Sequence, residues 1–358
     1  ADRTAPTVVS QTAFDGAYQS SRAVDGVVYL VLQRSANLPA LHYTDTAVTK
    51  PVDVQVAADL KMPYPSDTPI AYRTYETWDD YVARVGGDIV SLSLPHAYSV
   101  DAQGNTVDLG LLAGAGDIVA AQTPGQQSLV TVVSVDSAHP GGPGFADSVA
   151  TMVSGWGNAV YMNEGALYVA TNSEHGTDTG SWTDTRIDRF TIAGTGVQWQ
   201  SSGTVDGVLI NQFALDEQGG YLRVATHTNG SELIGGVWTT RDDNGIYVLD
   251  TSDAELKQVG GLTGLAPGEQ LYAVRYVGDT AYLVTFVRTD PLFAVDLSDP
   301  SAPALQGELV VPGFSNYLQS VGDGLLLGIG QETEIGNGNT HLDATLFDVR
   351  DGAHLTQI

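Results

Sequence analysis

The chain has 358 residues, 42% of them apolar, with 41 glycines, no cysteine, and 42 acidic against 15 basic side chains. A formal charge of −27 repels nucleic acid and anionic lipid, and the missing cysteine excludes disulfides, zinc–thiolate sites and thiol nucleophiles. No apolar run reaches the roughly 20 residues of a membrane-spanning helix, so no membrane insertion is expected within this chain.

Thr7–Phe14 reads as an outer strand. Residues 5–31 then align without a gap on residues 302–328, with Pro6 on Pro303 and Gly16 on Gly313. A chain that repeats itself in this way is an array of small supersecondary units. A second-strand signature follows Gly/Asp turns at Val28–Leu32, Leu167–Thr171, Leu222–Thr226, Ala281–Thr285 and Leu326–Ile329. A third-strand signature closes at Asp136, Thr191, Asp250, Asp296 and Asp348, positions 46 to 59 residues apart. That spacing is close to the roughly 40–50 residues of a propeller blade.

The expected fold is therefore all-β, a single β-propeller domain over 1–358 built of four-stranded antiparallel blades. Five blades are readable, at about 17–147, 148–204, 205–266, 267–312 and 313–358. The chain opens on one outer strand and stops on another at His354–Ile358, which reads as a piece of a larger propeller. The first blade carries an insertion over 34–126. Within it, Thr77 and Asp80 resemble a capping box, and Trp78, Tyr81, Val82 and Val85 fall on one helical stripe. That stripe is expected to pack on the blade edge or to act as a lid over the axial opening.

The long loops fall between strands two and three, at 34–126, 172–185, 227–244 and 331–342. Equivalent positions lie on one face of a repeat array, and function concentrates on such loops. The candidate ligand-binding residues on that face are Trp78, Tyr81, His175, Trp182 and His227. Gly176–Trp182 holds Asp, Thr-Gly and Trp in the order of a quinone-propeller docking motif, but that motif must recur in most blades and here occurs once. No histidine stands at i, i+2 or i+4 from another, so no local metal motif exists. Asn337, Asn339 and Asp343 offer alternating oxygens in a Gly-rich loop, a candidate set for a hard cation such as calcium; no other cofactor is implied. The Asp-x-x-Asp pairs at 250/253, 296/299 and 348/351 read as turn-fixing residues.

Several segments resemble a known family, secreted bacterial and archaeal proteins with a C-terminal β-propeller domain. They are Leu209–Asp216, Gly220–Thr226, Leu265–Glu269, Val274–Tyr276, Asp290–Pro300, Pro312–Leu318, Gly324–Gln331 and, in the insertion, Tyr75–Tyr81. The resemblance implies a secreted or cell-surface location and further propeller sequence on both sides. It supplies no catalytic residues.

The expected function is a non-enzymatic extracytoplasmic binding or scaffold module, with a protein or surface polysaccharide as partner and no nucleic acid. The alternative is a metal-dependent hydrolase or lactonase-like enzyme with an axial site, for which Asn211, Asn316 and Asp216 are the candidates. A third reading is a structural surface-layer component.

Overall fold

The computed structural model describes residues 4–5, 7–8, 10–35, 38–48, 70–119, 128–137, 148–154, 156–286, 290–311, 314–333 and 340–358. Ala1–Arg34 with His96–Ile358 form one compact unit, and Ser35–Pro95 form a second. The insertion divides, because residues 35–95 make their own contacts while 96–126 belong to the first unit.

In chain order the first unit opens with β1 (Thr12–Phe14), β2 (Ala17–Val24) and β3 (Val27–Ser35). The second unit holds β4 (Tyr43–Val48), β5 (Ile70–Tyr75), α1 (Trp78–Val85) and α2 (Ile89–Ser93). The first unit resumes with β6 (His96–Val100), β7 (Thr106–Leu111), β8 (Ile118–Val119), β9 (Ser128–Asp136) and β10 (Ser148–Ser154). Next come β11 (Trp156–Met162), β12 (Ala166–Thr177), β13 (Gly180–Ala193), β14 (Gly196–Asp206), β15 (Leu215–Gln218), β16 (Tyr221–Ile234), β17 (Val237–Asp250) and β18 (Lys257–Leu265). The last eight are β19 (Gln270–Val277), β20 (Thr280–Phe286), β21 (Asp290–Asp296), β22 (Ala304–Val311), β23 (Phe314–Gly322), β24 (Leu325–Thr333), β25 (Thr340–Asp348) and β26 (Thr356–Gln357).

Consecutive antiparallel meanders account for most of this. They are β2-β3-β9-β10, β11-β12-β13-β14, β15-β16-β17-β18, β19-β20-β21-β22 and β23-β24-β25-β26. Ser148–Ser154 closes the first meander against β9, so this stretch ends the first repeat; the expected boundary at 147/148 had placed it at the start of the second. β1 pairs with β6 in a small sheet with β7. Asp15 secures that arrangement: its carboxylate accepts from Arg34 at 2.8 Å and from the His96 backbone at 3.1 Å.

The second strands explain why the sheets stack. In β12, Leu167 and Val169 join a core with Val31, Val132 and Phe190, while Tyr168 and Ala170 join another with Leu222, Val224 and Leu249. In β20, Ala281 and Leu283 face that same second core, while Tyr282 and Val284 join Leu292, Leu326 and Phe347. Side chains alternate across a strand, so an unbroken apolar run means that both faces are buried. Each fully buried Leu or Phe contributes about 1.5–3 kcal/mol, and these strands are sandwiched between neighbours on both sides.

The gap-free match of the two chain ends needs one correction. In β2 and β3, Tyr18 pairs with Leu32 and Ser20 with Val31, leaving Gln19 as a bulge. In β23 and β24, Ser315 pairs with Gly330 and Tyr317 with Ile329, an equivalent bulge 297 positions later. A second bulge at Val321 then inserts one residue before the turn. The turn pairs are therefore Asp25-Gly26 and Asp323-Gly324, all with positive φ, as tight hairpins between right-twisted strands require.

Candidate functional site

The stretches expected as loops at 172–185 and 227–244 are strand. β12 and β13 stay paired from Ala166–Thr191 out to Thr177–Gly180. β16 and β17 stay paired from Tyr221–Asp250 out to Ile234–Val237. Polar residues such as Ser173, Glu174 and Thr239 show no apolar alternation, yet each has a cross-strand partner in the ladder. The turn of the second hairpin is Gly235-Gly236, with φ of 59° and 84°, the tight-turn geometry that glycine adopts without strain.

The two hairpins also pair with each other, Gly180 with Glu232, Ser181 with Ser231 and Trp182 with Gly230. Glycine is needed here. A Cβ on Gly180 would lie 2.6 Å from the Ser231 carbonyl oxygen, and one on Gly230 would overlap the Ser181 carbonyl. The Leu233 amide adds a bond to the Thr179 carbonyl at 2.7 Å. Two sheets are thereby joined into one continuous eight-stranded surface. Its outermost end is apolar: Ile234, Val237 and Trp238 are 58%, 67% and 58% exposed.

Nearer the sheets, the surface is charged. His175 stacks on its cross-strand partner Trp182 at 5.1 Å, and its Nε2 lies 3.1 Å from the Asp184 carboxylate. Burial pushes the Asp184 carboxyl up, His175 opposes that, and Asp206 adds to it. Arg241 on the second hairpin in turn pairs with Asp206.

The sequence-derived candidates separate accordingly. His175 and Trp182 are brought together on this surface. His227 is not a loop residue: it lies within β16 and is buried. Its Nδ1 is 3.1 Å from the Asn244 Oδ1. Asn244 donates to the Leu265 and Glu269 carbonyls, both at 2.9 Å, so His227 braces the link into the next sheet. Trp78 and Tyr81 belong to the second compact unit. Thr77 caps α1, accepting from the Asp80 amide at 3.2 Å. Tyr81 and Val85 are buried, whereas Trp78 is 71% exposed and Val82 is 43% exposed, so only half of the expected apolar stripe packs. Trp78 stacks on Tyr81 at 5.6 Å. Asn337 and Asn339 lie outside the described residues, and the Asp343 carboxylate accepts from the Thr345 hydroxyl at 2.6 Å.

One feature has no local signal in the sequence. Between the first strands lies a cavity of two lobes, about 280 and 290 Å³, that share Val160, Gln212 and Phe213. The first lobe is lined also by Gln19, Ser20 and Asn211. The second takes Arg22, Tyr161, Asp216, Arg275 and Tyr276. Asn211 spends its side-chain oxygen capping a 3₁₀ turn, accepting from the Phe213 amide at 2.8 Å. The Asp216 carboxylate accepts from Arg223, its Nε at 3.0 Å. Asn316 is exposed on its strand. Among the described residues no three His, Asp or Glu side chains gather as a metal-binding set, and the ionised groups lining the second lobe include the guanidiniums of Arg22 and Arg275. The donor set therefore does not match the 6–8 converging oxygens of a calcium site.

Residues 1–358, whose described strands form repeated four-stranded meanders, match a family model described as a beta propeller domain. The chain belongs to the beta propeller domain family. An uncharacterized protein of Methanocaldococcus jannaschii is 46% identical to this propeller over 152 residues, 42% of this chain and 22% of the relative. Another, from Archaeoglobus fulgidus, is 42% identical over 167 residues, 46% of this chain and 24% of the relative. The matched stretches thus span about a quarter of each relative's own length. Two variants of the Synechocystis apocarotenoid oxygenase align over 98% of the propeller chain and 94% of their own, at 9% identity and TM-scores of 0.38 and 0.37. No described helix is long and apolar enough to cross a membrane.

Proposed function

We propose that this propeller is a non-enzymatic binding or scaffold module outside the cytoplasm, secreted or at the cell surface. It holds a protein or a surface polysaccharide on the face built by the hairpins between strands two and three. The observation that carries this reading is the paired-hairpin surface, joined at Gly180–Trp182 and Gly230–Glu232 and ending in exposed Ile234, Val237 and Trp238. Exposed apolar groups on a rigid, water-facing element favour a contact surface over a structural one. Tryptophan is among the residues that dominate interface energetics. The stacked His175–Trp182 pair beside it offers the flat aromatic face that sugar rings and peptide side chains both use.

Co-sedimentation of the purified chain with envelope fractions of its host cell tests this function. Binding that disappears in the Ile234→Ser/Val237→Ser/Trp238→Ser variant, while its melting temperature holds, supports the proposal. Equal sedimentation of both proteins, or of neither, contradicts it.

A further inference from the structure

The tight turn between strands one and two gives each repeat a common origin. Counting back three facing pairs from that turn, with the hydrogen-bonded Asn163 and Ala166 as the first pair of the second sheet, reaches Arg22 opposite Tyr29, Tyr161 opposite Tyr168, Asp216 opposite Arg223, Arg275 opposite Tyr282 and Gln319 opposite Leu327. These five residues occupy one position of the repeat. Four of them, all but Gln319, line the same lobe of the cavity between the first strands. The fold has therefore collected a level of polar side chains that no local motif announces.

The charges at this level do not balance. Asp216 is matched by Arg223. Arg22 donates only to neutral acceptors: the Ser20 hydroxyl at 2.8 Å, the Ser21 carbonyl at 2.7 Å, the Val160 carbonyl at 3.4 Å and the Gln212 side-chain oxygen. Arg275 has less. Its Nε is buried and has no hydrogen-bond partner among the described residues, and its guanidinium lies 5.8 Å from the centre of the Phe213 ring. Arginine stays charged in proteins, both residues are half-buried, and withdrawing a charge from water without a counter-charge is unfavourable. Two uncompensated positive charges thus face one cavity in a chain whose formal charge is −27.

We infer that this lobe binds the carboxylate of a small organic acid, with Arg275 as its main partner and Arg22 supplying the supporting positive field. A single charge suits the site because the Arg22 donors are already engaged by its own strand, Val160 and Gln212. An organic body suits it because Phe213, Tyr276, Met162 and Leu215 supply apolar lining to the same lobe. Burial pushes the Tyr161 and Tyr276 hydroxyls up, so they stay neutral and add no competing negative charge. The site is independent of the hairpin surface and stands or falls without it.

Calorimetric titration of the full chain with glucuronate, glucose and inorganic phosphate tests the assignment. The expected result is saturable glucuronate binding, none with glucose and weaker binding with phosphate. Arg275→Gln should weaken glucuronate binding at least tenfold, and Arg22→Gln should weaken it less. No saturable glucuronate binding, equal or tighter phosphate binding, or an Arg275→Gln variant that binds like the parent would overturn it. Should the variants not fold, phenylglyoxal modification of the unaltered chain, followed by mass spectrometry, probes the same contact. Glucuronate should slow labelling of Arg275 but not of the exposed Arg350; equal rates with and without glucuronate would overturn the inference.

Discussion

Arg22 and Arg275 stand at the same ladder position of two different sheets, each directly opposite a tyrosine, Tyr29 and Tyr282. The tyrosines share a task. Tyr29 donates to the Gly194 carbonyl and Tyr282 to the Val349 carbonyl at 3.4 Å, each reaching the neighbouring sheet. On one strand of the pair these two repeats keep a structural tie; on the other they present a cation to the cavity between the first strands. The same ladder level therefore ties neighbouring sheets through one strand and lines the cavity through the other.

A second packing tie repeats at the outer strands. Gly260 and Gly307 sit at equivalent ladder positions, opposite Val248 and Ala294, each immediately after a bulge residue, Val259 and Gln306. A Cβ on Gly260 would overlap the Pro300 carbonyl oxygen, and one on Gly307 would overlap that of Gly352. Those carbonyls belong to the turns that lead into the next sheet's outer strand. Gly260→Ala and Gly307→Ala should each destabilise the fold by about 1–3 kcal/mol, the usual cost of overpacking. Gly104→Ser, where a Cβ meets nothing within 4 Å, carries only the strain of its positive φ. Urea denaturation of the three variants checks the order.

Asp188 is fully buried and accepts from Arg186 at 2.7 and 2.8 Å and from the Trp199 indole at 3.0 Å. Asp188→Ala leaves the Arg186 charge without its partner. The expected loss is about 3–5 kcal/mol, typical of breaking a buried ion pair from one side. A change in melting temperature no larger than that of an exposed-pair variant, Asp45→Ala, would contradict this role.

The turn aspartates set the acid limit. Asp348 is held at about 2, chiefly by Arg350. The Ser252 and Ser298 amides lower Asp250 and Asp296, the Ser301 hydroxyl lowers Asp299, and His354 lowers Asp351. A carboxyl whose folded value lies below its unfolded value of about 3.9 stabilises the fold fully above that value. The contribution is lost as pH falls through the folded value. The melting temperature should therefore drop between about pH 4 and 2, and Asp348→Asn should flatten part of that drop. Asp184 acts in the opposite sense, because burial raises it: its contribution is present below the ordinary carboxylate range and fades as pH rises.

Much of the scaffold was legible because its signals are local. The Asp-Gly turns, the apolar second strands and the capped helix at Trp78–Val85 each depend on neighbours in sequence. Asp250, Asp296, Asp299, Asp348 and Asp351 also take their expected turn-fixing bonds, as Asp250 does with the Ser252 amide at 2.8 Å. What was not legible depends on partners far along the chain. Residues 172–177 and 227–234 look like polar loops because their ladder partners, not apolar faces, hold them. His227 looks exposed until Asn244 and the Leu265–Glu269 segment close over it. The Arg22–Arg275 level is hidden because Arg22, Tyr161, Asp216 and Arg275 come from four different strands and meet only where those strands line one lobe.

Hydrogen exchange of the chain with and without host-cell envelope tests the binding face most directly. Antiparallel meanders put the strand-two/three hairpins at one end of every sheet and the strand-one/two turns at the other. A binding face on the hairpins predicts that envelope slows exchange at 174–183 and 230–241 and leaves the turns at Asp25-Gly26, Gly219-Gly220 and Asp323-Gly324 unchanged. Protection at those turns with none at the hairpins would contradict it.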